Sequence, residues 1–441
     1  MESDLDNILA LINEHKTRKK LIDPVLKQYD WYKQYIKEEV NSIKSDFVGK
    51  QFSYFEGSYQ KDVDRFIDYV LLDEGNNVLA IIESKRYSKD EKSGRIQART
   101  YAKDIEKQVN RKIPIFLTNG KKWRLIDEEG IEREISGPFS QEDLKRRNDL
   151  FHKLVDPKDV EINNTIVDRP RSVQVVRKLS EHFSDGHRKA LVHMATGTGK
   201  TRVAMGIIDL LMKANMIQNV LFLADRTALV DQAKTTGFQE FFTEPVEDLR
   251  EGFSTSGRLF VCTVQSMMSG NPRKLYERYS PGFFDLIVFD EAHRSIYDKQ
   301  RLIGNYFDSI KIGLTATPRE HESKNTYEMF DCENENPTVE YSYEDALRDG
   351  VLVPHTAEII ETEVLSLGIK GKKLSNKLKD ELRRQEIDPE SADFSGSEFD
   401  RIFMDDKTNE LIIWEFMYLS LCQNHLKCFK FQIKALNSIF S

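Results

Sequence analysis

The sequence predicts an α/β fold in which a small mixed sheet precedes a larger parallel sheet. From 66 to 118, apolar runs of strand length alternate with polar stretches of helical pattern. From 190 to 314, five nearly continuous apolar runs follow one another, which is typical of parallel strands buried on both faces. The first of these runs passes directly into a glycine-rich loop and a helical pattern. This order of strand, loop and helix supports the parallel arrangement.

The composition is that of a globular chain with buried cores. The 441 residues, 39% of them hydrophobic, exclude a collagen-like or wholly disordered protein and suggest roughly two to four domains. Lys and Arg number 65 against 73 Asp and Glu, so the net charge is -8. A chain of this charge has no overall positive field to draw it onto nucleic acid or a membrane. Any contact with DNA must therefore come from local patches.

Cysteine usage and hydropathy predict a cytoplasmic protein. The cysteines are too scattered for a disulfide framework, which indicates a reducing compartment; they are Cys262, Cys332, Cys422 and Cys428. The amino-terminal residues lack the basic and apolar regions of a signal peptide. No segment reaches the roughly 18 uncharged apolar residues of a membrane helix, so we expect no membrane contact.

The first region divides into a charged amino-terminal part and a small α/β unit. Residues 1–55 are charged and mostly helical in pattern, and their basic group at 16–20 is predicted to be a solvated helix face, with phosphate contact as the alternative. The α/β unit is expected to contain strands at 66–72, 78–82 and 113–118 and a helix at 97–109. A polar stretch at 127–167 is predicted to separate this unit from the second region.

The second region is predicted to hold the parallel sheet. Its strands are expected at 190–194, 220–224, 259–263, 286–289 and 312–314. A helix at 203–212 is expected after the glycine loop. From 368 to 406 the chain becomes charged and poor in apolar residues, which is typical of a linker or a partly disordered segment.

The loop after the first parallel strand has the composition of a phosphate-binding loop, Ala195-Thr-Gly-Thr-Gly-Lys-Thr201. In such a loop, backbone N–H groups and a helix amino terminus surround phosphates. Lys200 is predicted to reach the β- and γ-phosphates of a nucleotide, and the Thr201 hydroxyl to bind Mg²⁺. The remaining predicted contacts come from Thr196, Gly197, Thr198 and Gly199.

An acidic segment, Asp290-Glu-Ala-His293, ends another predicted strand. One carboxylate there can hold Mg²⁺ while its neighbour orients and deprotonates the attacking water, and Asp290 and Glu291 are the respective candidates. At the end of the next strand, Thr315 and Thr317 are candidates for linking the nucleotide state to DNA binding. Together with the glycine loop, these segments predict an ATP site.

These residues resemble the first RecA-like motor domain of superfamily 2, the DEAH-box group. Met194 stands where the GxxxxGK[ST] pattern has its first glycine, a form that is usual in this superfamily. The segments 221–232 and 261–266 also fit, and in the family they touch the DNA backbone.

The resemblance also implies roles for residues outside the loop. It implies that Arg171 and Gln174 recognise adenine, although Val173 stands where an aromatic residue is common. Because of this valine, adenine stacking is less well supported than phosphate binding. The resemblance also places His293 in the nucleotide site.

A second candidate site lies in the first α/β unit. Asp68 is in one predicted strand, and the next strand delivers Glu83-Ser-Lys85. Because side chains alternate along a strand, Glu83 and Lys85 lie on one face. Two carboxylates and an ammonium suit metal-assisted phosphodiester hydrolysis, with Asp68 and Glu83 holding Mg²⁺ and Lys85 orienting or polarising the water.

This tripeptide alone is weak evidence, because 31% of the residues are charged and the sequence repeats it as Glu322-Ser-Lys324. The second copy follows a polar loop without an apolar strand, so we interpret it as surface. The first copy is followed by Gln97 and Tyr101, four apart and thus on one helix face. An exposed polar helix is the alternative for that pair.

Asp68, Glu83-x-Lys85 and Gln97-x-x-x-Tyr101 ahead of a DEAH motor resemble the restriction (motor) subunit of type I restriction-modification enzymes, with a PD-(D/E)xK nuclease. The segment 341–354 resembles the stretch that joins the two motor domains there. The resemblance implies a subunit that joins modification (methyltransferase) and specificity subunits on double-stranded DNA. It implies ATP and Mg²⁺ as cofactors, translocation of duplex, and cleavage far from the recognition site.

The domains expected from this resemblance are a PD-(D/E)xK nuclease domain at 1–150, a linker at 151–168, a first RecA-like ATP-binding domain at 169–350, and an incomplete second motor domain or disordered tail at 351–441. The resemblance ends near 355, because no QxxGRxxR-type motif occurs beyond that point. We therefore expect a truncated or frameshifted gene product that binds ATP but hydrolyses it poorly, since the arginine from a second lobe would be missing.

Two alternatives remain open. One is a type III restriction subunit or a DNA-repair helicase-nuclease; the nuclease pattern lying before the motor argues against type III. The other is a non-catalytic remnant that only binds partner subunits or DNA.

Overall fold

The computed structural model describes residues 6, 9–47, 66–290, 297–316, 324–332 and 336–354, together with two short strands nearer the carboxyl end. The chain forms two compact units, Met1–Ala346 and Leu347–Ser441. The first unit contains two β-sheets, one mixed and one parallel. The predicted fold class, an α/β chain with a small mixed sheet followed by a parallel sheet, is therefore confirmed.

The first sheet has six strands in the order in which they occur along the chain. They are β1 (Ile36–Asn41), β2 (Phe66–Leu72), β3 (Val78–Ser84), β4 (Ile115–Thr118), β5 (Trp123–Ile126) and β6 (Glu132–Ile135). Only β3 and β4 pair in parallel, and the other neighbours are antiparallel. The sheet is mixed because a helical crossover joins β3 to β4 while shorter connections join the antiparallel strands.

Helices cover both faces of this sheet. They are α1 (Glu14–Thr17), α2 (Asp23–Gln28), α3 (Arg95–Val109) and α4 (Gln141–Lys153), and a π-helical turn, Arg18–Ile22, joins α1 to α2. One core packs Leu26 of α2 and Leu144 of α4 against the sheet, and the other packs Ile105 of α3 against the opposite face. Burial of these apolar faces holds the helices to the sheet.

Two expectations for this region are wrong. The stretch at 1–55 is predicted to be mostly helical, yet it contributes β1, and the polar stretch at 127–167 contributes β6 and α4. Both strands lie at the edges of the sheet and carry many charged side chains, so they lack the apolar pattern of a strand. The basic group at 16–20 is not a fully solvated helix face, because Arg18 is 6% exposed.

The second sheet has seven strands that are all parallel. They are β7 (Lys189–Met194), β8 (Val220–Ala224), β9 (Val246–Asp248), β10 (Leu259–Thr263), β11 (Leu286–Asp290), β12 (Ile310–Thr315) and β13 (Val339–Tyr341), in the spatial order β13-β7-β12-β11-β8-β10-β9. The five apolar runs are confirmed as strands. The two additional strands, β9 and β13, have three residues each and form the edges.

Helices connect the parallel strands. They are α5 (Pro170–Ser184), α6 (Lys200–Lys213), α7 (Thr227–Gln232), α8 (Gln239–Phe241), α9 (Val264–Met267), α10 (Tyr297–Tyr306), α11 (Lys324–Met329) and α12 (Tyr343–Arg348). The predicted helix at 203–212 is part of α6. Because parallel strands share one direction, all their carboxyl ends lie at one edge, where the glycine loop and Asp290 are found.

The first sheet contacts the second sheet at the amino ends of its parallel strands, opposite the glycine loop. Arg146 of α4 lies 2.6 Å from Asp143 and 3.2 Å from Asp285, which immediately precedes β11. Phe139 packs so closely on Gly282 that a Cβ at that glycine would lie 2.5 Å from the Phe139 ring. The glycine loop and α4 are therefore separated by the length of the parallel strands, about 16 Å for five residues.

The second unit is described only in part. It contains a short antiparallel pair, β14 (Ile369–Lys370) and β15 (Asp393–Phe394). The predicted linker or disordered segment at 368–406 and the predicted tail at 351–441 otherwise lie almost entirely outside the described residues, and the domain boundaries stay a prediction. In the described part of the chain, no helix combines the length and apolarity needed to cross a bilayer.

Candidate functional site

The first sheet brings Asp68 and Glu83 together at neighbouring strands. β2 and β3 pair Tyr69 with Ile82, so the next step of the antiparallel register sets Asp68 beside Glu83. Asp68 accepts hydrogen bonds on Oδ2 from the backbone N and the Oγ of Ser84, both at 2.7 Å. These two bonds fix one edge of the Asp68 carboxylate.

Lys85 contacts Glu83 as the strand period predicts. The Lys85 Nζ donates to Glu83 Oε1 at 2.5 Å, and the Glu83 side chain is only 2% exposed. Burial raises the pKa of Glu83 to about 8, with the charge of Asp68 as the second cause and Lys85 opposing both. Among the described residues, Glu83 Oε2 is buried without a hydrogen-bond partner. A buried carboxylate oxygen in this state is suited to a cation.

Gly94 allows this close packing. It is the N-cap of α3, and a Cβ there would lie 2.7 Å from Glu83 Cγ and 3.1 Å from Lys85 Cε. Its φ of -87° is accessible to any residue, so the requirement is for space rather than for conformational freedom. The amino end of α3 is therefore pressed directly against the Glu83 and Lys85 side chains.

The amino-terminal helices add two site residues that the sequence analysis missed. Burial raises the pKa of Glu14, with Lys85 as the largest opposing charge and with Asp68 and Arg18 also acting on it. Arg18 Nη1 lies 3.4 Å from Asp68 Oδ1. Arg18 is 50 residues from Asp68 along the chain, so no local pattern links the two.

Gln97 and Tyr101 contact each other across one turn of α3. Gln97 Nε2 donates to Tyr101 Oη at 2.6 Å, and the Tyr101 side chain is buried in the core of the sheet. Their shared helix face is as expected. Their role in cleavage stays a prediction.

The protein groups of the first site supply only part of the coordination shell of Mg²⁺. No group of three or more His, Cys, Asp or Glu side chains that could hold a metal ion occurs within the described residues. Mg²⁺ commonly uses one or two carboxylates and completes its octahedron with waters and substrate phosphate oxygens. Asp68 and the partnerless Oε2 of Glu83 therefore suffice for a cation held jointly with a substrate.

The glycine loop of the second sheet makes a tight turn between β7 and α6. Gly197 and Gly199 have φ values of 84° and 100°, in the left-handed region that favours glycine. Thr198 is fully buried and its Oγ1 donates to the Ala195 carbonyl at 2.6 Å, which closes the loop. Lys200 and Thr201 are the first two residues of α6, so the loop leads directly into a helix amino terminus, which carries partial positive charge.

Asp290 ends β11, and Thr315 ends β12, the strand next to β7. Asp290 pairs with Leu314, and Thr315 pairs with His193, the penultimate residue of β7. β12 lies between β11 and β7, so Asp290 is two strands, or about 10 Å, from the strand that leads into the loop. Both side chains are buried, Asp290 at 8% exposure and Thr315 at 1%.

The two residues predicted to contact adenine also lie near the carboxyl ends of the parallel strands. Arg171 Nη1 donates to Gln174 Oε1 at 3.3 Å, and the Arg171 guanidinium is 5.4 Å from the centre of the Tyr341 ring. The Tyr341 carbonyl accepts from the N–H of Ala195, so β13 borders the glycine loop. Arg169 also lies here, 3.4 Å from the Thr198 carbonyl, and sequence analysis missed it.

Three predicted residues of this site, Glu291, His293 and Thr317, lie outside the described residues. Glu322 of the second Glu-x-Lys tripeptide does so as well. The segments 221–232 and 261–266 include the carboxyl ends of β8 and β10 and the helices after them. They therefore share the edge of the sheet with the glycine loop.

Comparison with known proteins finds similarity to restriction enzymes. Residues 165–320 match the family model described as "Type III restriction enzyme, res subunit". The EcoAI endonuclease subunit of a type I restriction enzyme from Escherichia coli is 30% identical over 365 residues, which cover 78% of this chain and 43% of that protein. The EcoKI endonuclease subunit from Escherichia coli K12 is 32% identical over 207 residues, 40% of this chain and 17% of that protein.

This chain spans less than half the length of those curated relatives. A fragment of a putative HsdR subunit of a type I restriction enzyme from Vibrio vulnificus YJ016 is 22% identical, with a TM-score of 0.37. The match covers 85% of this chain and 69% of that one.

Proposed function

We propose, on the premise that this chain is related to the endonuclease subunits of type I restriction enzymes, that it is the ATP- and Mg²⁺-dependent endonuclease and translocating subunit of such a system. One observation carries the nuclease half of the proposal. Glu83 Oε2 is buried without a hydrogen-bond partner in the described structure, beside Asp68 and Lys85. A buried carboxylate oxygen is costly unless a ligand occupies it in the working state.

The proposed cleavage site uses three side chains in different roles. Asp68 and Glu83 would hold Mg²⁺, which supplies polarisation of the phosphodiester and activation of a water. Ser84 keeps Asp68 in place through its two hydrogen bonds. Lys85, 2.5 Å from Glu83, offsets the negative charge that develops on the phosphate during attack.

The proposed ATP site lies at the carboxyl ends of the parallel strands. The N–H groups of 196–199 and the amino end of α6 would bind phosphates, Lys200 would contact the β- and γ-phosphates, and Thr201 and Asp290 would hold Mg²⁺. Glu291 is the proposed base for the attacking water, and Arg171 and Gln174 the proposed adenine contacts. Thr315 and Thr317 are proposed to link this site to DNA.

The proposed partners are inferred from the relatives rather than from contacts in this chain. We propose double-stranded DNA as the substrate, modification and specificity subunits as the protein partners, and a cytoplasmic location. The segments 221–232 and 261–266 are the proposed contacts with the DNA backbone.

A type III restriction subunit is the second candidate, because the matching family model carries that description. That match covers 165–320 alone, which includes six of the seven strands of the parallel sheet. The match to the EcoAI type I subunit extends over 365 residues, and the carboxylates of the first sheet precede the parallel sheet in the chain. These observations favour the type I proposal.

The proposal is tested with the full chain, alone and with modification and specificity subunits of a type I system. Supercoiled DNA is incubated with Mg²⁺, with and without ATP, and nicked and linear products are measured. We expect Glu83→Gln to abolish cleavage in all reactions and Lys200→Ala to abolish only the part that needs ATP. Cleavage that persists in Glu83→Gln would refute the nuclease site, and ATP-dependent cleavage that persists in Lys200→Ala would refute the ATP site.

A further inference from the structure

Arg18 links two carboxylates at the first site. Its Nη2 lies 2.5 Å from Glu39 Oε1, and its Nη1 lies 3.4 Å from Asp68 Oδ1. The Arg18 side chain is 7% exposed, against 56% for Glu39 and 17% for Asp68. The guanidinium thus stands behind Asp68, with Glu39 on its outer side.

The backbone at Glu39 is unusual for a strand residue. Glu39 has a φ of 53°, in the left-handed region that disfavours residues with a side chain. β1 and β2 pair Glu38 with Tyr69 and Val40 with Ile67, so Glu39 lies opposite Asp68. Such a conformation is unfavourable and persists where surrounding contacts impose it, frequently at functional sites. Here it interrupts the ladder beside Asp68 and accompanies the Glu39 contact with Arg18.

The backbone that carries Arg18 is also irregular. Arg18 begins the π-helical turn Arg18–Ile22, and such turns are rare and occur frequently at functional sites. Arg18 and its outer partner Glu39 therefore both come from segments with non-standard geometry.

Asp68 is held differently at its two oxygens. Oδ2 accepts two hydrogen bonds of 2.7 Å from Ser84, whereas the contact that Oδ1 makes within the described residues is the longer one with Arg18. Oδ1 therefore retains capacity for another ligand while its direction is limited by Ser84 and Arg18. Groups that orient a metal-binding carboxylate typically affect metal affinity or activity by about 10- to 100-fold.

We propose that Arg18 and Glu39 are positioning residues for Asp68. Glu39 anchors the Arg18 guanidinium, and Arg18 sets the direction in which Asp68 presents Oδ1 to the divalent cation. This inference rests on the proposed function, because it assumes that Asp68 binds a cation. Neither residue touches the substrate in this account.

The direction in which cation affinity changes when Arg18 is removed distinguishes a positioning role from a purely electrostatic one. Removing a positive group beside a cation site should tighten cation binding if Arg18 acts only through its charge. If Arg18 positions Asp68, removing it should weaken binding. Arg18→Met keeps an unbranched side chain of similar length over the Tyr69 ring, which is 5.9 Å from the Arg18 guanidinium.

The experiment measures Mn²⁺ binding to the full chain from the electron paramagnetic resonance signal of free Mn²⁺, without nucleotide. All variants carry Asp290→Asn, so that the second candidate cation site does not contribute. We expect Arg18→Met to weaken binding about 10- to 100-fold. Arg18→Lys should recover only part of the loss, because a single ammonium cannot match the two-sided guanidinium. Arg99→Met, the same change at an exposed residue of α3, should leave binding unchanged.

Glu39 offers a matched pair of variants. Glu39→Gln and Glu39→Ala remove the same charge, but only the amide keeps an oxygen that can accept from Arg18 Nη2. We expect Glu39→Ala to weaken Mn²⁺ binding more than Glu39→Gln. Thermal unfolding of each variant verifies that the chain is folded.

The possible failures are distinct. If Glu83→Gln does not change Mn²⁺ binding, the proposed function fails, because the cation is not at this site. If Glu83→Gln removes binding while Arg18→Met leaves it unchanged or tightens it, the positioning role is wrong and the proposed function stands. Equal binding by Glu39→Gln and Glu39→Ala would overturn the anchoring role of Glu39.

Discussion

Arg133 of β6 forms a two-pronged ion pair with Asp308, which lies just before β12 of the parallel sheet. The Nε–Oδ1 distance is 2.6 Å and the Nη2–Oδ2 distance is 2.8 Å. Arg147 of α4 also donates to Asp308 Oδ2, at 2.7 Å. Two arginines of the first sheet and its helices thus converge on one buried carboxylate of the second sheet. They hold the first sheet to the amino ends of the parallel strands of the second sheet, opposite the glycine loop.

Asp308→Ala is expected to destabilise the chain by about 3–5 kcal/mol. The substitution leaves buried guanidinium groups without their partner, which costs more than the pair itself contributes. Urea unfolding followed by tryptophan fluorescence measures the loss, because Trp31 and Trp123 lie in the core of the first sheet. Asp331→Asn is the control: its contact with Lys189 is exposed, so we expect a change below about 1 kcal/mol. Equal effects of the two substitutions would contradict this account of the interface.

Gly94→Ala is expected to damage the nuclease site through space alone. The added Cβ would lie 2.7 Å from Glu83 Cγ, and Glu83 is buried and cannot move freely. We expect a loss of cleavage of about 100-fold, because misplacing a reacting group by about 1 Å has effects of that size. Overpacking should cost about 1–3 kcal/mol of stability. Gly304→Ala is the control, since its Cβ would meet nothing closer than 3.4 Å. Normal cleavage by Gly94→Ala would show that the close packing is not required.

Lys311 is expected to make stability depend on pH. Burial lowers the pKa of Lys311 to about 7, with the charge of Arg188 as the second cause. Between that value and about 10.5, the unfolded chain binds the proton and the folded chain does not, so the free energy of unfolding rises with pH by up to about 1.4 kcal/mol per unit. Below pH 7 both states bind the proton and this contribution becomes constant.

The dependence on Lys311 is measured as a difference between two chains. Urea unfolding from pH 7 to pH 9 is compared for the unsubstituted chain and Lys311→Met. We expect the stability advantage of Lys311→Met to be largest at pH 7 and to shrink as the pH rises. A difference that stays constant over this range would show that Lys311 keeps its proton in the folded state.

Lys200→Ala is expected to weaken ATP binding without affecting the first site. If Lys200 contacts the phosphates as proposed, removing its ammonium should cost about 2 kcal/mol or more of binding free energy. Equilibrium binding of a fluorescent ATP analogue measures this loss. Lys85→Ala, which lies in the other sheet, should bind the analogue normally. An unchanged affinity in Lys200→Ala would refute the role of the glycine loop.

Much of the fold could be predicted because buried strands are continuous apolar runs in the sequence. β2, β8 and β11 are apolar along most of their length, and the sequence shows this directly. The charged edge strands β1 and β6 were not predicted, because their half-exposed residues do not form an apolar run. Their positions are decided by pairing with neighbours that are distant in sequence.

The residues of the candidate sites also divide into those that a local sequence pattern reveals and those that it does not. Glu83 and Lys85 could be found because they are two residues apart on one strand, and the glycine loop because it is continuous. Arg18 could not, since it reaches Asp68 only after the amino-terminal helices pack on the sheet. Long-range contacts of this kind leave no periodic pattern in the sequence.

The central claim, that the first sheet is a nuclease, is tested most directly by the two copies of Glu-Ser-Lys. Nicking of supercoiled DNA by the full chain with Mg²⁺ is compared for Lys85→Ala and Lys324→Ala, the same change in each copy. We expect Lys85→Ala to abolish nicking and Lys324→Ala to retain the rate of the unsubstituted chain, because Lys85 contacts a buried carboxylate opposite Asp68. Unchanged nicking by Lys85→Ala would contradict the assignment of this site.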